Sequence, residues 1–431
     1  MKRLAGLILL AVMLLPGRLS AQEEEKKYGI TFSGFVKTDV FYDSRQTVNA
    51  REGHFMLWPA PPSFDAEGID LNGNDGFNIL SIQTRLKGTI TGPDAFGAKT
   101  SGVIEGAFFG TSNGDVNGFR LRHAFLKLNW TNTELLAGQY WHPMFVTASF
   151  PGTVSFNTGV PFQPFSRNPQ VRITQNVGKM KLVAAVLTQR DFTGAAGAVE
   201  LRNSGLPEAQ VQFFFNEKNA ESGTELLAGF GGGIKKVVPR LVTDSLYATN
   251  AGIVSKSLQG FFKFSTKAIS LKLEATYGQN MYDLMQISSY AVSDLSMLAP
   301  GGESITISRD YREYAPLSNY SVWGDLQTNG SVIQAGIFAG YTKNTGTEFL
   351  GTGEALTFQK SGSYVYAGSR SNIDYVWRVA PRLVFKSGKV SLATELEITT
   401  AAFGSFTDNG TVSGSTSVTN TRLLLAGFYF F

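Results

Sequence analysis

The chain contains no cysteine, which excludes both a disulfide framework and a lipid anchor on an N-terminal thiol. Charge is scarce: acidic and basic residues together make up 17% of the sequence, against roughly 25% in an average soluble domain. Histidine occurs three times, as His54, His123 and His142, with no metal-ligand spacing among them. GxSxG, Walker A and HExxH patterns are absent, so no catalytic residue, metal or cofactor is expected and the chain does not read as an enzyme. Beyond the first residues no segment approaches the ~20 consecutive apolar residues that a spanning helix needs. Excess charge of one sign is missing too. The formal net charge is +4, but Lys2, Arg3 and Arg18 lie in the leader described next, so the basic balance gives no argument for a nucleic-acid partner.

Residues 1–21 combine Lys2 and Arg3, an apolar run from Leu4 to Leu15, a Pro16-Gly17 break and a small-residue end at Ser20-Ala21. This is the form of a secretory signal peptide cut after Ala21, leaving 22–431 as one domain. From there the pattern has period two. Leu80, Ile82, Thr84, Leu86 and Ile90 alternate with Ser81, Gln83, Arg85, Lys87 and Thr89, giving strands with one apolar and one polar face. Sixteen such segments follow, near 28–43, 77–91, 98–110, 119–130, 133–142, 169–177, 180–190, 207–216, 224–235, 253–267, 269–280, 318–329, 331–343, 372–387, 389–401 and 420–431. Tight turns such as Asn329-Gly330 and Ser387-Gly388 alternate with long loops near 44–76, 143–168, 191–206, 236–252, 281–317, 344–371 and 402–419. An even strand number with that rhythm predicts an all-β fold, a transmembrane antiparallel β-barrel of the outer-membrane type. Tyr28, Phe32 and Trp130 at turn-side ends, and Phe41, Tyr42, Tyr140 and Trp141 at loop-side ends, fit girdles at the two interfaces. The end LLLAGFYFF places Leu423, Leu425, Tyr429 and Phe431 outward.

One loop differs from the rest. Between Pro143 and Gln170 lie five prolines, five phenylalanines, one arginine and no carboxylate. So apolar a segment is expected to fold into the barrel as its third extracellular loop and narrow a channel, with Phe150, Phe156, Phe162 and Phe165 at the constriction. Strand parity directs Arg85, Lys87, Arg120, Arg122, Arg172, Lys263, Lys272, Arg378 and Arg382 into the lumen, facing Asp39, Glu105, Glu274, Glu395 and Glu397. Parity is ambiguous around His123, where a bulge or a subunit contact would intervene. Arg120, Arg122, Arg167 and Arg172 bracket the carboxylate-free loop and are the candidate selectivity residues, since guanidinium forks suit carboxylate ligands. Asp70 to Gly76 has the start of a calcium-loop pattern, but its glycine falls late and Ser81 stands where the bidentate glutamate belongs, so it reads as a turn. Gly229 to Gly233 reads as a place where neighbouring strands or a subunit approach closely.

The stretches GFVKTDVFYDSR (34–45), RLRHAFLKLN (120–129), ELLAGQYWHPMF (134–145) and RNPQVRIT (167–174) resemble the matching segments of DcaP-like outer-membrane porins. The resemblance covers about the first half of the chain and is architectural beyond it. It implies a homotrimer in the outer membrane of a Gram-negative bacterium, in contact with lipid and lipopolysaccharide, with passive uptake of small organic anions such as dicarboxylates. Such proteins often carry an N-terminal helical extension, whereas about six residues precede the first strand after the expected cleavage point. The expected function is a passive porin with a mild anion preference. Two alternatives stay open: a barrel for hydrophobic or aromatic solutes, and a non-conducting structural barrel.

Overall fold

The computed structural model describes residues 28–294, 312–347, 357–358, 372–407 and 409–431. The expected signal peptide lies outside them. Sixteen barrel strands are present among the described residues: β1 (Gly29–Asp43), β2 (Gly76–Leu80 continued by Arg85–Thr91), β3 (Lys99–Ala107), β4 (Arg120–Asn129), β5 (Thr133–Trp141), β6 (Arg167–Val177), β7 (Met180–Leu187) and β8 (Glu208–Asn219). The circuit goes on through β9 (Thr224–Val237), β10 (Ile253–Ser265), β11 (Ile269–Gln279), β12 (Ser318–Thr328), β13 (Ile333–Gly346), β14 (Ile373–Ser387), β15 (Val390–Phe406) and β16 (Val412–Phe430). Each pairs antiparallel with its neighbours in sequence, and β16 closes on β1 through Val40 opposite Leu425. Among the described residues no barrel strand is left with an open edge, as a membrane barrel requires.

The apolar parity faces outward. Ile30, Phe32, Leu258, Leu392, Leu423 and Leu425 are exposed on the outer surface, while inward positions such as Lys37, Gln212, Glu274, Arg378 and Glu397 are buried. This inversion of the soluble pattern is the membrane-barrel signature.

What buries those polar residues is the loops. L1 (44–75) sends the hairpin Thr47–Ala50 and Phe55–Pro59 into the barrel, where every residue of Phe55–Pro59 is buried. L3 (142–166) crosses the interior, as its composition predicts. L4 (188–207) and the first part of L6 (280–317) fold in behind it, so that Phe55, Phe156, Phe165, Phe192 and Tyr282 join Trp323, Val376 and Leu424 of the wall in one apolar cluster.

Two details depart from the sequence reading and a third fits it. The loop near 402–419 is short, because β15 and β16 run on to Phe406 and from Val412 and pair there; Thr399 to Phe403 are all buried, so no period-two signal marks the extension, while Thr, Ser and Val still favour strand. Phe41, Tyr140 and Trp141 do not join an outer girdle. Phe41 lies beneath the Arg422 guanidinium, Tyr140 faces Arg172 and Trp141 stacks on Phe145. Finally, the register shifts between Glu105 and Gly106 opposite β4, the bulge that the mixed parity at His123 calls for.

Candidate functional site: the barrel lumen

L3 is held to the far wall by named groups. The Glu395 carboxylate on β15 accepts both Val154 N–H (2.8 Å) and Ser155 N–H (2.9 Å). Asn157 donates to Glu397 (2.7 Å), and Gly152 N–H donates to Asp325 of β12 (3.2 Å). From β14, Arg378 donates to the carbonyls of Val160 and of Leu57, both at 2.8 Å, and so clasps L3 and the L1 hairpin together. Arg382 makes a two-pronged pair with Asp325 (2.7 and 3.0 Å) and also reaches Gln327. Phe162 packs on Phe338 of β13. At its roots the loop is tied by Gln212 and Gln259, which donate to the carbonyls of Pro143 and Met144, both at 2.6 Å.

The near wall, β2 to β6, is different. A cavity of about 650 Å³ lies between it and L3, bordered by Arg85, Lys87, Arg122 and Lys127, with Glu105 as the facing carboxylate, and by Phe35, Phe125, Tyr140, Trp141, Phe145 and Phe150. A second cavity of about 330 Å³ shares Lys127, Tyr140 and Phe145 and adds Arg172, Lys181 and Glu134. Lys127 is paired with Glu134 (2.7 Å), and the Lys181 ammonium sits 3.8 Å from the Phe214 ring centre.

The residues singled out from sequence therefore divide. Arg120, Arg122 and Arg167 come together: Arg122 pairs with Glu105 (2.7 Å), and Arg120 and Arg167 both pair with Asp191 of L4. Arg172 is apart from them, donating to Gln170 and the Trp141 carbonyl beside the second cavity. Arg85 and Lys87 border the main cavity, Lys263 is paired with Glu225 (2.7 Å), and Arg378 and Arg382 face inward but are buried, Arg378 against loop carbonyls and Arg382 against Asp325 and Gln327 of β12. Of the four phenylalanines, Phe150, Phe156 and Phe165 border the main cavity, while Phe162 is packed into the wall. Asp191 was not singled out, nor was the L1 hairpin, although the apolar run FMLWP inside a polar loop was available as a signal.

His54 in the L1 hairpin stacks on Phe156 and approaches Asp39 (3.4 Å). Burial pushes its imidazole down to about 4 against the pull of that carboxylate. His142 meets Glu208 (2.9 Å), and among the described residues no group of acids and histidines is arranged to hold a metal. Asp70 caps its own turn, accepting from Ser63 and Asn72 while pairing with Arg45. Across Gly229 and Gly233 lie the Phe261 ring and the Gln210 side chain of adjacent strands.

No protein-family model and no curated protein matches the sequence. Among solved structures, the barrel is similar to the outer membrane channel DcaP of Acinetobacter baumannii, with TM-score 0.64 and 15% identity over 96% of this chain and 100% of that one. It is also similar to the trimer form of OmpT, an outer membrane protein of Vibrio cholerae, with TM-score 0.54 and 8% identity over 94% of this chain and 100% of the other. The fold is thus that of integral outer-membrane porins and channels.

Proposed function

We propose that the chain is an outer-membrane porin giving passive passage to small hydrophilic solutes, with a preference for organic anions of the carboxylate class. The observation that carries this reading is the imbalance of the main cavity, where Arg85, Lys87, Arg122 and Lys127 line one wall beside aromatic rings, with Glu105 as the carboxylate among the lining residues and Glu134 paired to Lys127. Guanidinium groups bind carboxylates in fixed geometry, and the rings beside them receive the carbon body of such a solute. The first 21 residues act as a cleaved export signal, the outward apolar band meets lipid and lipopolysaccharide, and the subunits assemble as trimers, as the relative crystallised in a trimer form does. Reversal potential across planar bilayers under a salt gradient tests the reading: an anion-selective potential is expected, and a cation-selective one rejects it.

A second reading is favoured by the apolar cluster in which Phe41, Ala107, Trp323 and Phe338 of the wall pack with Phe55, Phe156 and Phe165 of the loops. Under it the described loops close the lumen and the barrel conducts only when they move. Absence of single-channel steps from the purified protein would select this reading over the first.

A further inference from the structure

We propose that the cavity of about 330 Å³ on the turn side of L3 is a second binding station for small organic carboxylates, built by Arg172 and Lys181. Asn129 of β4, Thr133 of β5 and Asn176 of β6 line it next to the tight turns, while Pro143, Phe145 and Ala148 at the root of L3 line its other end. It shares Lys127, Tyr140 and Phe145 with the main cavity, so the two adjoin along the near wall. Three strands bring cations to it. Lys127 of β4 and Arg172 of β6 stand on one row, each opposite the buried Leu136 of β5, and Lys181 follows on β7 opposite Asn176.

What these cations meet differs from one to the next. Lys127 is neutralised by Glu134 (2.7 Å), the carboxylate among the residues lining this cavity. Arg172 is fixed by neutral acceptors instead: Nε donates to the Gln170 side chain (2.9 Å), Nη2 to the Trp141 carbonyl (2.6 Å), and the Tyr140 ring centre lies 5.2 Å from its guanidinium carbon. Lys181 rests on the Phe214 ring, its ammonium 3.8 Å from the centroid. Carbonyls and ring faces attract a cation, but they carry no net charge to cancel it. Two positive charges therefore border the cavity with no carboxylate at ion-pair distance among the described residues. A guanidinium already held in one orientation loses little further freedom on meeting a carboxylate, and the ammonium adds a compact charge on a flexible stem. The hydroxyls of Thr147 and Thr174 line the same space as neutral donors. Passage needs sites that bind and also release, and neighbouring sites achieve both by handing a solute on. Lys127, common to the two cavities, stands where that transfer takes place.

The station rests on the anion-porin reading above, and its test keeps the two apart. Single-channel currents of the purified full-length protein are recorded with citrate added to one face at a time, and block from the turn face is compared with block from the loop face. Arg172→Gln and Lys181→Gln together should lower that ratio about tenfold, the scale of one charge-assisted hydrogen bond. Lys179→Gln removes a charge at the same end of the barrel, but one that Glu217 already pairs, and should leave the ratio unchanged. An anion-selective parent whose ratio survives the double variant rejects the station alone; a cation-selective parent rejects both. Should the double variant fail to fold, or the barrel show no conducting steps, crystals of the unaltered protein soaked in para-bromobenzoate supply the second measurement. An anomalous peak is expected in the cavity beside Arg172 and Lys181, and its absence overturns the proposal.

Discussion

The near and far walls of the barrel use the same residue type to opposite ends. On β14, Arg378 and Arg382 are saturated by loop carbonyls and by Asp325. On β2 and β4, Arg85 and Arg122 share a single carboxylate and border open space. Both pairs face inward. What separates them is whether protein or water meets the guanidinium: one wall holds the loops in place, and under the proposed function the other sets the charge of the passage.

The comparison breaks most visibly at Arg382. Removing one partner of a buried ion pair leaves the other charge uncompensated, typically at a cost of about 3–5 kcal/mol. Arg382→Ala should therefore lower folding yield and Tm strongly by stranding Asp325. A variant that melts like the parent would show that Arg382 is solvated, as strand parity by itself suggests.

A second effect lies in L4 behind the plug. Glu200 is buried near Tyr290, and burial raises its carboxyl to about 7 from an ordinary value of 4.5. The folded state then holds its proton more tightly than the unfolded state does, so this group's contribution to stability is complete below about pH 4.5 and declines as pH rises through 7. Glu200→Gln should flatten that part of the stability-versus-pH curve. An unchanged slope between pH 5 and 7 would remove Glu200 from the account.

On the near wall, Arg85→Gln with Lys87→Gln should move the reversal potential towards cations while changing stability by no more than about 1 kcal/mol, the scale of partly solvated pairs. Charges on a wall that borders open space are screened over a Debye length of about 8 Å at physiological salt, so the shift should grow at low salt. A large loss of Tm instead would make this wall structural like the other. Smallest of all, Lys263→Gln removes a partly exposed partner of Glu225 and should change stability by about 0.5 kcal/mol or less, with selectivity unchanged within measurement error. A shift matching that of the double variant would move the selective wall to β10.

The barrel itself was legible because its two periodicities, strand parity and the alternation of turns with loops, are written locally. Leu425 outward and Glu395 inward follow from position alone. The inward third loop was legible as well, from its phenylalanines and missing carboxylates. Which charges would meet was not. Asp191 lies in L4, and the partner of Arg120 and Arg167 depends on how two loops pack, which no spacing encodes. The L1 hairpin was missed for a related reason. FMLWP marks it as apolar, but a loop of that length reads as surface unless something says where its apolar side goes. Parity also misled at Trp141, since a residue at a strand end belongs to the loop that follows as much as to the wall.

The clasp on Glu395 also fixes an order of events. Val154 and Glu395 lie 241 residues apart in sequence, and the strand carrying the carboxylate is the next to last to be made. Until β16 meets β1, the third loop has amides with no acceptor and the last hairpins have acids with nothing to hold. Docking of the loop is therefore a closing act of assembly, and a crosslink from position 154 to position 395 would time-stamp the moment the cylinder shuts.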